Sequence, residues 1–360
     1  MKIVVAGTRG IPDIQGGVET HCEELYPRLV RLGCEVIVVR RSCYVAANNK
    51  IKSYKGISLK DIYAPKQKSI EAFLHTLFAV FYAKKVKADI LHIHAIGPSI
   101  MTPLARLLGL KTVVTHHGRD YERKKWGKIA KMVLRTGERL SAKYANQLIV
   151  ISEDINNTIK QKYKRFNAHL IYNGVNIPVK SNETSYIQTL GLSSRKYIIT
   201  LGRFVEEKGF HGLIEAYIKL NDKGYKLVIA GDADHPDSYS ENLKHMAKEN
   251  GVVLTGFIRG EKLNELLSNA QLFVLPSFHE GLPISLLEAM SYDMDVLISD
   301  IPANLEVNLP KEYYFQCGNW DDLKNKMEEK LSQKEHIKYD LSLYNWDGIA
   351  AQTLKVYESK

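Results

Sequence analysis

Short runs of Val, Ile and Leu recur along this chain, and segments with helical periodicity separate them. A strand that is apolar along its whole length needs cover on both faces, as in a parallel sheet flanked by helices. The first half contains seven such runs: KIVVAG, EVIVVRR, ISLKDIYA, DILHIHA, KTVVTHH, QLIVIS and HLIYNG. The second half contains five: YIITLGR, YKLVIAGD, VVLTGF, LFVLPS and DVLISD. The pattern predicts an α/β fold with two doubly wound, Rossmann-like parallel sheets.

With 360 residues, the chain is longer than one compact core usually spans. A polar stretch over residues 173–196, with Gly and Pro near its start, has the composition of a linker. We therefore expect one domain over 1–177, a second over 178–345, and a C-terminal helix over 346–360 that packs back toward the first. Two such domains place a ligand cleft between the carboxyl ends of their sheets.

The cysteines and the N-terminus indicate a cytoplasmic protein. Four cysteines form neither a C-x-x-C pair nor a Cys/His cluster with metal-ligand spacing. The sequence opens directly as a strand, MKIVVAG, without the pattern of a signal peptide. The longest apolar run, residues 70–83, contains Glu71 and His75 and is too short to cross a bilayer.

Charge is distributed unevenly along the chain. Residues 1–178 contain 30 Lys and Arg against 13 Asp and Glu, a balance of +17, whereas the remainder has 20 against 27, a balance of −7. Residues 119–143 are the densest part, with nine basic and three acidic residues. This segment is either a solvated helix with one core-facing apolar stripe, a membrane-surface helix or, less consistently, a nucleic-acid contact. We expect peripheral contact with an anionic membrane and no nucleic acid partner.

A glycine-rich turn, GTRGIPDIQGG over residues 7–17, follows the first strand. Its spacing is not G-x-G-x-x-G, so the dinucleotide fingerprint is absent. The pair Gly16 and Gly17 at the start of a helix nevertheless offers backbone N–H groups to an anionic ligand. The alternative is a tight strand-to-helix turn.

In the second half, LGRFVEEKG places Arg203 at the end of a strand and Lys208 five residues later. A planar guanidinium fork and a compact ammonium together suit a diphosphate group. The alternative is an exposed pair of surface cations in salt bridges.

The stretch FHEGLPISLLEAM, residues 278–290, combines a strand end, a turn and a helix. Glu280 lies in the turn and Glu288 lies in the helix, so the turn can direct both carboxylates toward one pocket. Backbone N–H groups at the start of that helix would face the ligand, namely those of Gly281, Leu282, Ile284 and Ser285. A hydrolase with paired carboxylates is the alternative, which fits poorly with the neighbouring cations.

Two histidine pairs follow strands of the first half. His92 and His94 alternate along one strand and therefore share a face; core packing, support of a site and metal binding are all open, although no third ligand is evident. His116 and His117 end the next strand, and of these two His117 is the candidate site residue. We predict no metal site.

Three of these motifs together resemble a known family. The sequence E-G-L-P-x-x-L-L-E-A-M, G-R-x-x-x-x-K-G and the GG-containing first loop are similar to those of retaining glycosyltransferases of family 4, which have the GT-B fold. The opening GTRGIP…GGVET resembles bacterial members that build surface polysaccharides, including rhamnosyltransferase-like ones. The resemblance covers essentially the whole chain.

The resemblance implies a role for each candidate residue. Glu288 would hold the ribose of a nucleotide-sugar and Glu280 its sugar. Arg203 and Lys208, joined by the Gly16–Gly17 loop, would neutralise the diphosphate. The base would rest on the backbone at Phe257 and Ile258, after Gly256, and His117 would lie near the reacting carbon. The donor would be a UDP-, GDP- or dTDP-sugar, no cofactor would be needed, and a lipid-linked glycan at the inner membrane face would be the acceptor.

The chain departs from the family pattern after the Glu288 helix, and other functions are open. The usual small residue, Gly and Pro after the Glu288 helix are replaced by AMSYDMDV, with Asp293 and Asp295, so the donor sugar is not predicted. A sugar-nucleotide epimerase or a phosphorylase would use the same architecture. A scaffold that binds polyanions without catalysis is the third possibility.

Overall fold

The computed structural model describes residues 1–65, 70–123, 126–221, 224–332 and 338–359, with the side chain of Asn48 outside that description. The chain forms two compact units: unit 1 comprises Met1–Gly174 and the C-terminal stretch from Leu343, and unit 2 comprises Val175–Ser342. Among the helices of the described residues, none has both the length and the apolar composition that crossing a membrane requires.

Unit 1 is built on a mostly parallel sheet. Its strands are β1 (Lys2–Ala6), β2 (Glu35–Arg41), β3 (Ser53–Tyr54), β4 (Ile57–Ile62), β5 (Ile90–His94), β6 (Lys111–His116), β7 (Gln147–Val150) and β8 (His169–Leu170). Within the described part of the chain they are ordered β3-β4-β2-β1-β5-β6-β7-β8. Only β3 and β4 pair antiparallel among these described strands. The central strands β1 and β5 are buried along almost their whole length, as a sheet covered on both faces requires.

Unit 2 has a smaller sheet that is parallel throughout its described strands. These are β9 (Tyr197–Leu201), β10 (Lys226–Ala230), β11 (Val253–Gly256), β12 (Leu272–Leu275), β13 (Asp295–Ser299) and β14 (Tyr314–Phe315). Their order is β11-β10-β9-β12-β13-β14. The predicted α/β class with two parallel sheets is therefore confirmed, and each of the twelve apolar runs contributes a strand.

Helices connect the strands in both units. Unit 1 contains α1 (Gly17–Arg31), α2 (Glu71–Lys85), α3 (Thr102–Leu107), α4 (Lys128–Tyr144) and α5 (Glu153–Tyr163), together with the C-terminal α13 (Trp346–Glu358). Unit 2 contains α6 (Ser185–Thr189), α7 (Phe210–Ile218), α8 (Ser238–Glu249), α9 (Gly260–Ser268), α10 (Ile284–Ser291), α11 (Pro302–Leu305) and α12 (Trp320–Ser332). The stretch predicted as a linker, residues 173–196, includes the short helix α6.

Each sheet has a point where the strand order reverses. In unit 1 strand β1 has β2 on one side and β5 on the other, and in unit 2 strand β9 lies between β10 and β12. Loops leaving the carboxyl ends of such neighbouring strands run to opposite faces of the sheet and leave a crevice between them. The glycine-rich turn, the Arg203–Lys208 stretch and the Glu280 turn follow β1, β9 and β12, so the topology assigns these motifs to the two reversal points, whereas His117 follows β6 and Phe257 follows β11.

Helix α13 belongs to the core of unit 1. A polar cap begins this helix, because the side-chain oxygen of Asn345 accepts hydrogen bonds from the N–H groups of Asp347 and Gly348 at 2.9 and 3.0 Å. Trp346 and Ile349 are then buried with residues of β1 and α1 in one apolar cluster. The last residues of the described chain are thus part of the first folding unit.

We expect Trp346→Ala to destabilise unit 1 by about 3–5 kcal/mol, because it leaves a large cavity in a closely packed core. The exposed Gln352 on the same helix supplies the matched control, and Gln352→Ala should change stability by less than about 0.5 kcal/mol. Urea unfolding followed by tryptophan fluorescence and circular dichroism measures both. Equal midpoints for the two variants would contradict the assignment of α13 to this core.

Candidate active site

The loops after β9 and β12 are held together by a close backbone approach. Gly209 has φ 67°, and a Cβ atom at this position would lie 2.1 Å from the carbonyl oxygen of Pro276. The N–H of Phe278 also donates a hydrogen bond to the carbonyl oxygen of Glu207 at 2.9 Å. Glycine is therefore required here for both conformation and space, and the two loops are joined where the sheet order reverses.

This contact brings Lys208 to Glu280. The ammonium nitrogen of Lys208 lies 2.6 Å from Glu280 Oε1, and the hydroxyl of Ser277 donates to the same oxygen at 2.6 Å. Both charged side chains are largely shielded, with 16% and 10% of their surface exposed. The two predicted site residues thus form one ion pair, in which a partly buried lysine is oriented by a carboxylate and a hydroxyl.

Arg203 has a partner that the sequence analysis did not identify. Its Nη1 lies 2.9 Å from Asp234 Oδ2, and both side chains are about four-fifths buried. Asp234 follows β10 in the stretch GDADHP, so its position at the carboxyl end of a neighbouring strand was the available signal. The guanidinium is consequently held at the same edge of the sheet as Lys208.

Glu288 lies in the second turn of α10, which begins at Ile284 after Pro283. N–H groups in the first turn of a helix have no acceptor within the helix, and Ile284 and Ser285 occupy that turn. The half-buried Glu288 adds negative charge next to Tyr292: burial, and secondly this charge, raise the pKa of Tyr292 to about 12. The remaining predicted N–H groups, of Gly281 and Leu282, lie in the turn that precedes the helix.

Phe257 and Ile258 lie farther along the sheet. They follow β11, the edge strand, and Phe257 is 43% exposed with the Arg259 guanidinium 5.2 Å from its ring centroid. Among the described residues, no hydrogen bond or ion pair joins Phe257 or Ile258 to Lys208 or Glu280. Their proximity to a common ligand is a prediction that the geometry does not test.

The two glycines predicted as a ligand-binding pair in unit 1, Gly16 and Gly17, differ in their surroundings. A Cβ at Gly16, where φ is 150°, would lie 2.2 Å from Glu19 Oε2 and 2.3 Å from Arg9 Nη2, whereas a Cβ at Gly17 would meet nothing within 4 Å. Glu19 accepts hydrogen bonds from the Thr8 hydroxyl at 3.1 Å and from the Arg9 backbone N–H at 2.9 Å, and its other oxygen pairs with the Arg9 side chain. Gly16 therefore accommodates the Arg9–Glu19 pair, while Gly17 has open space around it.

His116 is a structural residue. Its Nε2 lies 3.0 Å from Glu138 Oε1, and its Nδ1 accepts a hydrogen bond from the N–H of Gly118 at 3.3 Å. Because Nδ1 accepts, the ring proton is on Nε2 and is donated to Glu138. Burial raises the pKa of Glu138, but hydrogen bonds from His116, Lys162 and Tyr163 outweigh it and lower the pKa to about 2.

His117 instead joins a cluster of histidines from α1 and β5. Its Nε2 lies 2.8 Å from His94 Nδ1, and its ring contacts that of His21 edge-on at a centroid distance of 4.9 Å. The ring of His92 stacks on that of His94 at 4.3 Å. One ring nitrogen from each of His21, His94 and His117 lies within 4.8 Å of the others. No third ligand near the histidine pair of β5 was evident from the sequence, and the fold supplies two, His21 and His117.

Burial keeps these imidazoles neutral. Desolvation lowers the pKa of His21 to about 4, despite the hydrogen bond between its Nδ1 and Asn173 Oδ1, and lowers the pKa of His92 to about 3. Burial, followed by the neighbouring imidazoles, also lowers the pKa values of His94 and His117 well below the usual range. Three neutral histidines this close could bind a divalent ion or hydrogen-bond to one another.

The sequence and the architecture find counterparts among known proteins. Residues 15–178 match the family model described as Glycosyltransferase Family 4, and residues 182–340 match the model described as Glycosyl transferases group 1. The sucrose-phosphate synthase from Thermosynechococcus elongatus has a similar fold, with a TM-score of 0.82 at 19% identity over 99% of this chain and 98% of that one. These parallel α/β units define a glycosyltransferase of the GT-B class.

Two glycosyltransferases are more similar to this chain in sequence than the sucrose-phosphate synthase is. An uncharacterized glycosyltransferase of Methanocaldococcus jannaschii is 27% identical over 99% of this chain and 98% of its own length. The UDP-Gal:alpha-D-GlcNAc-diphosphoundecaprenol alpha-1,3-galactosyltransferase of Escherichia coli is 31% identical over 61% of this chain and 60% of its own length. The protein belongs to glycosyltransferase family 4, as its motifs predicted.

The neutral histidines predict an acid-sensitive unit 1. Their pKa values are lower in the folded state than the usual 6.5, so the unfolded chain binds protons that the folded chain does not. The resulting stability is present above pH 6.5 and is lost as the pH falls toward 4. Each such histidine contributes a slope of up to about 1.4 kcal/mol per pH unit in this range.

Urea unfolding between pH 7 and 4.5 measures this slope. His21→Gln should reduce the slope of the unfolding free energy against pH by the contribution of about one histidine. His245→Gln, which replaces a side chain that is 73% exposed, should leave the slope unchanged. An identical slope in the wild-type protein and His21→Gln would show that His21 is not buried in its neutral form.

Proposed function

We propose that the protein is a retaining glycosyltransferase that moves a sugar from a nucleotide diphosphate donor to a lipid-linked glycan in surface-polysaccharide synthesis. The observation that carries the proposal is the Lys208–Glu280 ion pair at the strand reversal of unit 2, next to the start of α10. Support for the two substrates comes from the Escherichia coli relative, whose name specifies a UDP-sugar and a diphosphoundecaprenol-linked acceptor.

The chemistry required of unit 2 is stabilisation of a leaving group. When the bond between the anomeric carbon and the phosphate oxygen breaks, negative charge develops on the diphosphate. Arg203 and Lys208 supply positive charge at that edge of the sheet, and the first-turn N–H groups of α10 add dipoles with the same sign. Because both cations are already oriented by Asp234 and Glu280, little reorganisation is needed when charge develops. In this proposal no metal ion is required.

The carboxylates then act as binding groups for hydroxyls. Glu280 would accept hydrogen bonds from the transferred sugar and Glu288 from the ribose, while the backbone at Phe257 and Ile258 would contact the base. In unit 1 the proposal assigns His117 to the reacting sugar and the N–H groups of Gly16 and Gly17 to the diphosphate.

Retention follows from attack on the face that the leaving group vacates. The acceptor hydroxyl forms the new bond to the anomeric carbon, and its proton passes to the departing phosphate oxygen. In this proposed route no enzyme-bound sugar intermediate forms.

A lipid-linked acceptor requires access to a membrane surface, and α4 has a suitable exterior. Ile129, Met132 and Val133 are 77%, 61% and 40% exposed, whereas the sequence alone also allowed a core-facing stripe. Exposed basic side chains on the same helix include Lys128 and Arg135. Apolar side chains flanked by cations suit the interface of an anionic bilayer, which supports a peripheral position at the inner face of the cytoplasmic membrane. Lys124 and Lys125, in the basic segment identified from sequence, lie outside the described residues.

Lys208→Ala tests the leaving-group role. We expect kcat for transfer from a nucleotide-sugar to fall about 100- to 1000-fold, the usual effect of removing one group that stabilises transition-state charge. Lys219→Ala is the matched control, because Lys219 forms an exposed ion pair with Asp321 in the same unit. Transfer of radiolabelled sugar to an undecaprenyl-diphosphate-linked acceptor is the measurement. Full activity of Lys208→Ala, or release of an epimerised sugar without acceptor, would contradict the proposal.

The membrane contact is tested by sedimentation with phosphatidylglycerol-containing vesicles. We expect the double substitution Ile129→Asp and Met132→Asp to weaken binding at least tenfold, because it places two carboxylates in the contact surface. Val179→Asp introduces one carboxylate at an 89% exposed apolar position of unit 2 and should have little effect. Equal binding by both variants would show that α4 does not contact the bilayer.

A further inference from the structure

A continuous set of hydrogen bonds runs through the interior of unit 1 from Thr115 to His117. The Thr115 hydroxyl lies 2.7 Å from His92 Nε2, and His92 Nδ1 lies 2.9 Å from the Tyr26 hydroxyl. The Tyr26 hydroxyl lies 2.5 Å from His94 Nε2, and His94 Nδ1 lies 2.8 Å from His117 Nε2. The first four residues are at most 1% exposed, and His117 is half-buried. This hydrogen-bond chain thus connects the buried Thr115 to the partly accessible imidazole of His117.

Because every imidazole in this hydrogen-bond chain is neutral, each has one N–H and one nitrogen lone pair. If one ring donates in a given direction, its neighbour must accept and donate in the same direction. The tautomers of His92, His94 and His117 are therefore coupled, and two opposite directions are conceivable. The Tyr357 hydroxyl, 2.6 Å from His92 Nδ1, can donate or accept and is compatible with either.

The two directions differ in what they require of Thr115. Within the described residues, His92 Nε2 is the only hydrogen-bond partner of the Thr115 hydroxyl. If His92 donated to Thr115, the threonine O–H would be buried without an acceptor, which costs about 1–3 kcal/mol. If Thr115 donates to His92, every O–H and N–H from Thr115 to His94 has an acceptor, and the last N–H, on Nδ1 of the half-buried His117, is left for solvent or a ligand. The second direction is therefore the stable one.

We propose that Thr115, His92, Tyr26 and His94 are positioning residues that fix His117 as the Nδ1–H tautomer, a neutral hydrogen-bond donor to the ligand. In this direction His94 Nδ1–H donates to His117 Nε2, so the proton of His117 is on Nδ1. His117 then cannot remove a proton from the acceptor through Nδ1. It can donate a hydrogen bond to a hydroxyl, carbonyl or phosphate oxygen of a bound ligand.

This assignment excludes a metal ion in the cluster. Coordination by His21, His94 and His117 would need a lone pair on the His94 nitrogen that faces His117, which is the nitrogen that bears the proton here. Metal binding would move the proton of His94 to Nε2, and the hydrogen bond between His94 and Tyr26 would reverse its donor and acceptor. The two possibilities are mutually exclusive and can be separated experimentally.

The test is a long-range ¹H–¹⁵N correlation spectrum of ¹⁵N-histidine-labelled full-length protein, with ring signals assigned by single histidine-to-glutamine substitutions. We expect His92, His94 and His117 all to show a protonated Nδ1 and an unprotonated Nε2. A protonated Nε2 on His117, or a stoichiometric metal ion in the purified protein, would overturn the proposal. This readout needs no substrate.

Substitutions at Thr115 test the origin of the direction. Thr115→Val removes the hydroxyl at nearly constant volume, so we expect mixed tautomers at all three rings, and Thr115→Ser should restore the wild-type spectrum. Thr112→Val is the control, because Thr112 is buried on the same strand but contacts Asn146 rather than this chain. An unchanged spectrum in Thr115→Val would overturn the proposal; if that variant does not fold, Tyr26→Phe must alter the His94 and His117 signals.

The role of the tautomer in catalysis rests on the proposed function and has its own readout. We expect Thr115→Val to lower kcat for sugar transfer about tenfold and Thr115→Ser to restore it, with little change in the acceptor KM. Wild-type kcat in Thr115→Val despite mixed tautomers would overturn the positioning role. Absence of transfer by the wild-type protein with a wild-type spectrum would contradict the proposed function instead.

Discussion

The contact between Gly209 and the carbonyl oxygen of Pro276 is the constraint on which the candidate site of unit 2 depends. It joins the loop after β9 to the loop after β12, and these two strands are neighbours only because the sheet order reverses between them. A side chain at position 209 would separate the loops and remove Lys208 from Glu280. A second glycine, Gly16, makes space in the same way for the Arg9–Glu19 pair of unit 1. Small residues at strand reversals thus decide which charged groups meet.

The ion pairs of Arg203 and Lys208 in unit 2 and the histidine cluster of unit 1 are in opposite electrostatic states. In unit 2 the charges are partly exposed and occur as ion pairs, so cations remain available at the edge of the sheet. In the histidine cluster of unit 1 the rings are fully buried except for the half-buried His117, and desolvation keeps them uncharged. A cluster of neutral rings carries no charge. The donor and acceptor roles in one hydrogen bond nevertheless fix those in the next, so the tautomers of neighbouring rings are coupled.

Several features were predictable because they depend on local pattern. The apolar runs became strands because a parallel sheet covered by helices buries such segments on both faces, and the two separate motifs that contain Lys208 and Glu280 were recognised by residue type and spacing. Other features were missed for physical reasons. Strands β3 and β14 are two residues each, too short for any periodicity, and form only because a neighbour offers hydrogen bonds. Asp234 and His21 have no distinctive spacing, and Ile129 and Met132 have the helical period of a buried stripe although they are exposed.

The sequence by itself determined the class of fold, the family and the residue types that carry the chemistry, because periodicity and glycine placement act over short distances along the chain. The tertiary structure alone decided the partners: Asp234 for Arg203, Glu138 for His116, and His94 for His117. These pairs are separated by more than twenty residues. Parallel strands bring Asp234 to Arg203 and His94 to His117, and the packing of α4 brings Glu138 to His116. Burial, which no local pattern specifies, then determined which of them remain charged.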